Sequence, residues 1–185
     1  PVGGGEPYWE IPYKVKYGVS IAKPIYHNGV VLVSGFWHGT KAIRLGKSKE
    51  DAKIVWSNEF ELRGLMSQPL LRETVCFLLE RSNGLTAFDF KTGEIFWTDK
   101  HNLTPSERNP QASIIWTDQE NGEALALNAL GELVFMNLNR DGFKEYWREQ
   151  IVSKTWAHPA YSNEFVFSRD DQSVYCYELP LDHGK

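Results

Sequence analysis

The stretch GLTAFDFKTGEIFW at residues 84–97 decides how this chain folds. Its first part, LTAFDF, alternates apolar and polar residues with the period of two expected of a half-buried strand. Lys91-Thr92-Gly93 then makes a tight turn, in which glycine can take a positive φ without steric cost. A second short run, Glu94 to Trp97, ends on a large aromatic. Strand, Thr-Gly turn, strand and tryptophan together form a hairpin signal.

Weaker copies of this unit recur. Ala42-Ile43-Arg44, Ala87-Phe88-Asp89, Phe135-Met136-Asn137 and Cys176-Tyr177-Glu178 each read apolar, apolar, polar, at a step of about 45 residues. Upstream of each lies a further related run: SIAKPIY at 20–26, LMSQPLL at 65–71, QASIIWT at 111–117 and TWAHPAY at 155–161. The closing aromatic returns as Trp56, Trp97 and Trp147. Four short strands per unit at this period are the mark of propeller blades. The sequence therefore predicts an all-β protein, a β-propeller of four-stranded antiparallel blades. The blades fall at about 20–57, 64–100, 111–150 and 155–180.

Within the units, Asn28-Gly29 is a strong hairpin turn, and Asn121-Gly122 does the same work in the third. TVCFLLE at 74–80 is apolar enough to be buried on both faces. Asn139-Arg140-Asp141-Gly142 replaces Lys-Thr-Gly; it lacks the carboxylate spacing of a calcium loop and reads as a plain turn. Tyr8-Trp9 resembles the blade ends Phe96-Trp97 and Tyr146-Trp147, so residues 8–14 are expected to be a lone outer strand. The last unit has no such strand after it. Two arrangements follow. A four-bladed ring is closed by residues 8–14, or a larger ring is completed by a missing amino-terminal half or by self-association.

Composition adds few constraints. A formal net charge of −4 offers no electrostatic reason for a nucleic-acid partner. No apolar run approaches the roughly 20 residues that span a bilayer. The two cysteines, Cys76 and Cys176, lack metal or redox spacing and are expected to be buried free thiols. The five histidines show no metal-ligand pattern, and neither a nucleophile elbow nor a phosphate-binding glycine loop occurs.

The repeat resembles the pyrroloquinoline-quinone-type propeller repeat. Gly84, Leu85, Ala87, Asp89, Thr92, Gly93, Ile95 and Trp97 match its Gly-x-Leu-x-Ala-x-Asp, Thr-Gly and aliphatic-x-Trp pattern. Gly39, Ala42 and Trp56 repeat it in part, as do Leu133 and Trp147. RGLMSQPL, RNPQAS and TWAHPAY are similar to the carboxy-terminal half of planctomycete quinone-repeat-like propellers, which are about twice as long. The resemblance implies either of two branches. Quinoprotein dehydrogenases hold the quinone (PQQ) and calcium in the central channel; the adjacent cysteines of the methanol-type enzymes are missing here, and no calcium site can be placed. The other branch binds protein partners without a cofactor. The resemblance also implies an extracytoplasmic location, periplasmic or cell-surface.

In a propeller the first strand of each blade lines the channel. Ser20 and Lys23, Ser67 and Gln68, Gln111 and Ser113, and Trp156 and His158 are thus candidates for a polar channel mouth that takes a small ligand. The competing reading is that they satisfy one another and channel water. Trp37 and His38, in the hairpin between strands two and three of the first blade, are partner-surface candidates. Arg63 and Arg108, in inter-blade connections, are others. Three functions remain open: a non-catalytic scaffold for a protein partner or small ligand, a quinone-dependent oxidoreductase, and a carbohydrate-binding or carbohydrate-processing propeller suggested by Trp37, Trp116 and Trp156. No catalytic residue and no metal ligand is assigned.

Overall fold

The computed structural model describes residues 3–19, 21–48, 50–64 and 66–180. Its regular structure is entirely β. Among the described residues no helix is long and apolar enough to cross a membrane. The first sheet holds β1 (Ile25–His27), β2 (Val30–Gly35), β3 (Gly39–Leu45) and β4 (Ala52–Asn58). The second holds β5 (Leu70–Arg72), β6 (Val75–Glu80), β7 (Gly84–Asp89) and β8 (Ile95–Thr98). The third holds β9 (Ala112–Asp118), β10 (Glu123–Asn128), β11 (Glu132–Leu138) and β12 (Phe143–Gln150). The fourth has three strands, β13 (Ala160–Ser162), β14 (Phe165–Arg169) and β15 (Val174–Glu178). Within every sheet the strands pair in chain order, and all pairs are antiparallel.

Register explains how the sheets stack. Ile25, Leu32, Ala42 and Trp56 are direct cross-strand partners in the first sheet. Leu70, Phe77, Ala87 and Trp97 form the same row in the second. Ile115, Leu125, Phe135 and Trp147 form it in the third. Each row covers the following sheet. The opposite side of the second sheet, the row Leu71, Cys76, Phe88 and Ile95, meets the first sheet in one apolar cluster. A second cluster joins sheets two and three, and a third joins sheets three and four. Because side chains alternate along a strand, one residue pattern serves both neighbours.

Two of the closing tryptophans also make a polar contact. Trp56 Nε1 donates to the Phe90 carbonyl at 3.1 Å, and Trp97 Nε1 to the Asn139 carbonyl at 3.0 Å. The indole thereby reaches across to the 3–4 turn of the next sheet. Those turns hold their own shape: Asp89 Oδ1 accepts from the amides of Lys91 and Thr92, and Asn139 Oδ1 from those of Asp141 and Gly142.

The turn between the second and third strands is capped the same way. Glu80 Oε2 accepts the amides of Ser82 and Asn83, Asn128 Oδ1 those of Leu130 and Glu132, and Asp170 Oδ1 those of Gln172 and Ser173. These amide bonds hold the Asp170 carboxyl down at about 2. The folded value lies below the ordinary value near 4, so this carboxylate stabilises above that value, and the contribution fades as pH falls from about 4 to 2. Asp170→Asn keeps an acceptor, as Asn128 does natively. It should leave the thermal midpoint at neutral pH nearly unchanged and flatten its decline between about pH 4 and 2. Asp170→Ala should lower the midpoint throughout.

Three sequence expectations need correction. Residues 8–14 form no strand. Tyr13 instead lies against the first sheet's 2–3 turn, donating its hydroxyl to the Gly39 carbonyl at 2.5 Å. A Cβ on Gly35 would sit 2.7 Å from that hydroxyl, so Tyr13 fills the place where the other sheets carry Glu80, Asn128 or Asp170. Desolvation there, with Glu59 nearby, pushes the Tyr13 hydroxyl up to about 12.

The innermost strands are also shorter than expected. β1, β5 and β13 have three residues each and begin directly after Pro24, Pro69 and Pro159, which supply no amide to a ladder. β9, with no internal proline, runs seven residues. Finally, Cys76 is a buried free thiol but Cys176 is an exposed one. Ser20, Leu65 and residues 181–185, His183 among them, lie outside the described residues.

Candidate functional site: the connection face

The 2–3 turns and the inter-blade connections share one face of the protein, and two of the cavities that open between them flank a single connection. The first, about 170 Å³, is lined by Tyr17 and Val19 of the amino-terminal segment, by Phe36 and Trp37 of the β2–β3 turn, and by Met66, Arg108 and Asn109 of two connections. Tyr17 is 88% exposed, and its ring lies 6.0 Å from that of Trp37. Trp37 in turn meets Phe36 edge-on at 5.0 Å, and the Arg81 guanidinium covers Phe36 at 4.4 Å. The aromatic wall is therefore braced from behind, with Arg108 exposed at its rim.

The second cavity, about 330 Å³, is lined by Glu107, Ala129, Lys154, Thr155, Trp156 and Asp171. Trp156 is 51% exposed. Glu107 and Arg108 are sequence neighbours, so the connection between the second and third sheets forms a ridge with one cavity on each side. That ridge is anchored by Asp99, whose carboxylate accepts the amides of Leu85, His101 and Leu103 at 2.7, 3.0 and 2.8 Å. Burial raises the Asp99 pKa, and the amide bonds oppose the rise without cancelling it. Arg148 clasps the same connection by donating to the Asn102 carbonyl, while pairing with Glu132 and Glu145 at 2.6 and 2.8 Å. A shallow aromatic and charged surface on a fixed frame can hold a chain segment or a ring by stacking and charge.

The expected channel residues do not gather into one mouth. Gln68 is occupied: its Oε1 accepts the Lys23 amide at 3.0 Å and its Nε2 donates to the Lys23 carbonyl at 3.1 Å. Ser67 is likewise spent on the Ala112 carbonyl and amide. Gln111 is buried, with Oε1 lacking a hydrogen-bond partner. Neither cavity is lined by Lys23, Gln68, Gln111 or His158; His158 is exposed, and Trp156 alone of these candidates reaches a cavity. Of the partner-surface candidates, Trp37 and Arg108 meet in the first cavity. His38 turns to Tyr13, edge-on at 6.0 Å. Arg63 donates to Ser82 Oγ and lies 3.8 Å from the fully buried Glu80. Trp116 is partly buried against Phe77 between sheets two and three.

Sequence reasoning missed Tyr17, Phe36 and Met66. Phe36 adjoins Trp37, and that adjacency was the one available signal. Among the described residues no group of three or more His, Cys, Asp or Glu is arranged to hold a metal ion. The acids beside the cavities, Glu107 and Asp171, share theirs with Lys154, and the cysteines stand in different sheets.

A family model described as outer membrane protein assembly factor BamB matches residues 3–142. The chain belongs to that family. The match takes in the first two sheets, the first three strands of the third and every residue lining the first cavity, whereas Trp156 lies beyond it. BamB from Moraxella catarrhalis superposes with a TM-score of 0.58 at 11% identity, over 82% of this chain and 43% of that one. A putative 6-phosphogluconolactonase from Bacteroides uniformis gives 0.60 at 12% identity, over 85% and 50%. The computationally designed Ika4 protein gives 0.63 at 7%, over 95% and 99%. At these identities the likeness is one of fold. The chain spans about half the length of the two natural structures. Comparison with curated protein sequences gives no match.

Proposed function

We propose that this chain is a non-catalytic propeller scaffold that binds an extended segment of a protein partner across its connection face. The observation that carries the reading is the pair of cavities on either side of the 107–109 ridge. Tyr17, Trp37 and Trp156 offer aromatic surface there, and Arg108 a charged fork. Aromatic residues and arginine are the usual anchors of such contacts. Membership of a family described as an assembly factor supports the same reading, and supports placing the protein outside the cytoplasm. In this reading neither quinone nor calcium takes part.

A second reading, a sugar platform, rests on the half-exposed Trp156 beside the polar groups of the larger cavity. Selection of a displayed peptide library against the protein separates the two. Enriched peptides should lose about tenfold or more in affinity with Trp37→Ala or Arg108→Ala, and nothing with Lys47→Ala on a distant exposed loop. Peptides indifferent to both cavity substitutions, or no enrichment at all, would overturn the scaffold reading. Glycan-array binding abolished by Trp156→Ala would establish the second.

A further inference from the structure

The two cavities beside the 107–109 ridge differ in charge. Apart from Arg108 and Asn109, every residue lining the first is apolar or aromatic, and its lining contains no carboxylate. The second brings the carboxylates of Glu107 and Asp171 together with the Lys154 ammonium and the Trp156 ring, so acids outnumber bases there. Glu107 and Arg108 are adjacent in sequence, and the sign of the charge reverses across the ridge within one residue. All four charged side chains are exposed, and among the described residues none of them forms an ion pair. Charges that the fold leaves unpaired on a binding surface are available to steer and orient what docks there.

The aromatic side of the first cavity is displayed rather than packed. Tyr17 takes φ +59, a left-handed conformation costly for a bulky side chain, in a turn closed by the Val19 amide on the Lys16 carbonyl at 3.3 Å. That turn holds the ring out at 88% exposure beside Trp37. Met66, unbranched and polarizable, lets the same cavity adapt to apolar groups of different shape.

We infer, on the scaffold reading, that this face selects an extended peptide segment of split charge. An aromatic or aliphatic side chain covers Tyr17 and Trp37, and a carboxylate beside it pairs with the Arg108 fork. Across the ridge a lysine or arginine side chain stacks on Trp156 and meets the Glu107 and Asp171 carboxylates. A segment with its charges exchanged sets a base against Arg108 and an acid against two carboxylates. Charge thus decides which end of the segment lies at which cavity.

The test is selection of a random displayed-peptide library against the whole chain, followed by charge exchange. Enriched peptides should carry an acid beside an apolar anchor and a separate lysine or arginine. Arg108→Glu should weaken them about tenfold or more, and replacing the peptide's acid with lysine should restore about threefold or more of that loss. The double variant Glu107→Lys, Asp171→Lys should weaken the same peptides and should be rescued by an acid in place of their base. All three positions are exposed, so the thermal midpoint should not move. Enriched peptides that need Trp37 but lack this charge pattern, or variants that the exchanged peptides fail to rescue, overturn the inference and leave the scaffold reading standing. No enrichment at all removes both.

Discussion

Truncating Phe77 to alanine is expected to destabilise the chain by about 3–5 kcal/mol, read as a lower midpoint in chemical denaturation. Phe77 is 1% exposed and stands where two sheets meet. Its ring lies 6.0 Å from Trp97 of its own sheet and 5.7 Å, edge-on, from Trp116 of the next. The cavity left behind would be walled by two large rings that cannot close over it without moving their strands, which places the cost in the upper part of the range for core truncations. Phe167 occupies the same register position in the fourth sheet, at 40% exposure. Its truncation in the isolated chain should cost less than about 1 kcal/mol, since exposed positions seldom cost more. The difference between equivalent residues measures what a neighbouring blade contributes.

Gly84→Ala is expected to cost about 2–4 kcal/mol by the same measurement. Gly84 has φ +82°, a region that alanine enters only with strain. A Cβ at that position would lie 2.1 Å from Asp99 Oδ1 and 2.5 Å from the His101 amide. To make room, the Asp99 carboxylate must give up amide bonds to Leu85 and His101, and the ridge between the two cavities shifts with it. The variant should therefore weaken peptide binding as well as stability. Gly142→Ala, where a Cβ meets no atom within 4 Å, should stay within about 0.5 kcal/mol of the parent.

The repeat architecture was legible because the same geometric demand is met by the same residues each time. A positive-φ glycine opens the third strand at Gly39, Gly84 and Gly131, and an indole closes the fourth at Trp56 and Trp97. The amino-terminal segment was misread because Tyr8-Trp9 looks like a blade end. Aromatic content alone does not separate a paired strand from a segment docked through one hydroxyl, as Tyr13 is. Gln68 was placed in a channel mouth because its partner, the Lys23 backbone, is 45 residues away and carries no side-chain signature. The caps Glu80, Asn128 and Asp170 were readable in principle, each a polar residue ending an apolar strand before a turn. Their repetition shows only once the strands are in register.

The stacked rows bear on how the chain acquires its structure. Every interface described within the chain joins sheets adjacent in sequence, so no step of folding has to wait for the two ends of the polypeptide to find each other. Cooperativity in such an array passes from neighbour to neighbour, and structure can nucleate in the middle and spread. The second and third sheets, covered on both sides, are the natural nucleus. The fourth, with three strands and one bare side, is the place where opening begins. Amide exchange there should report a local event long before it reports the unfolding of the whole.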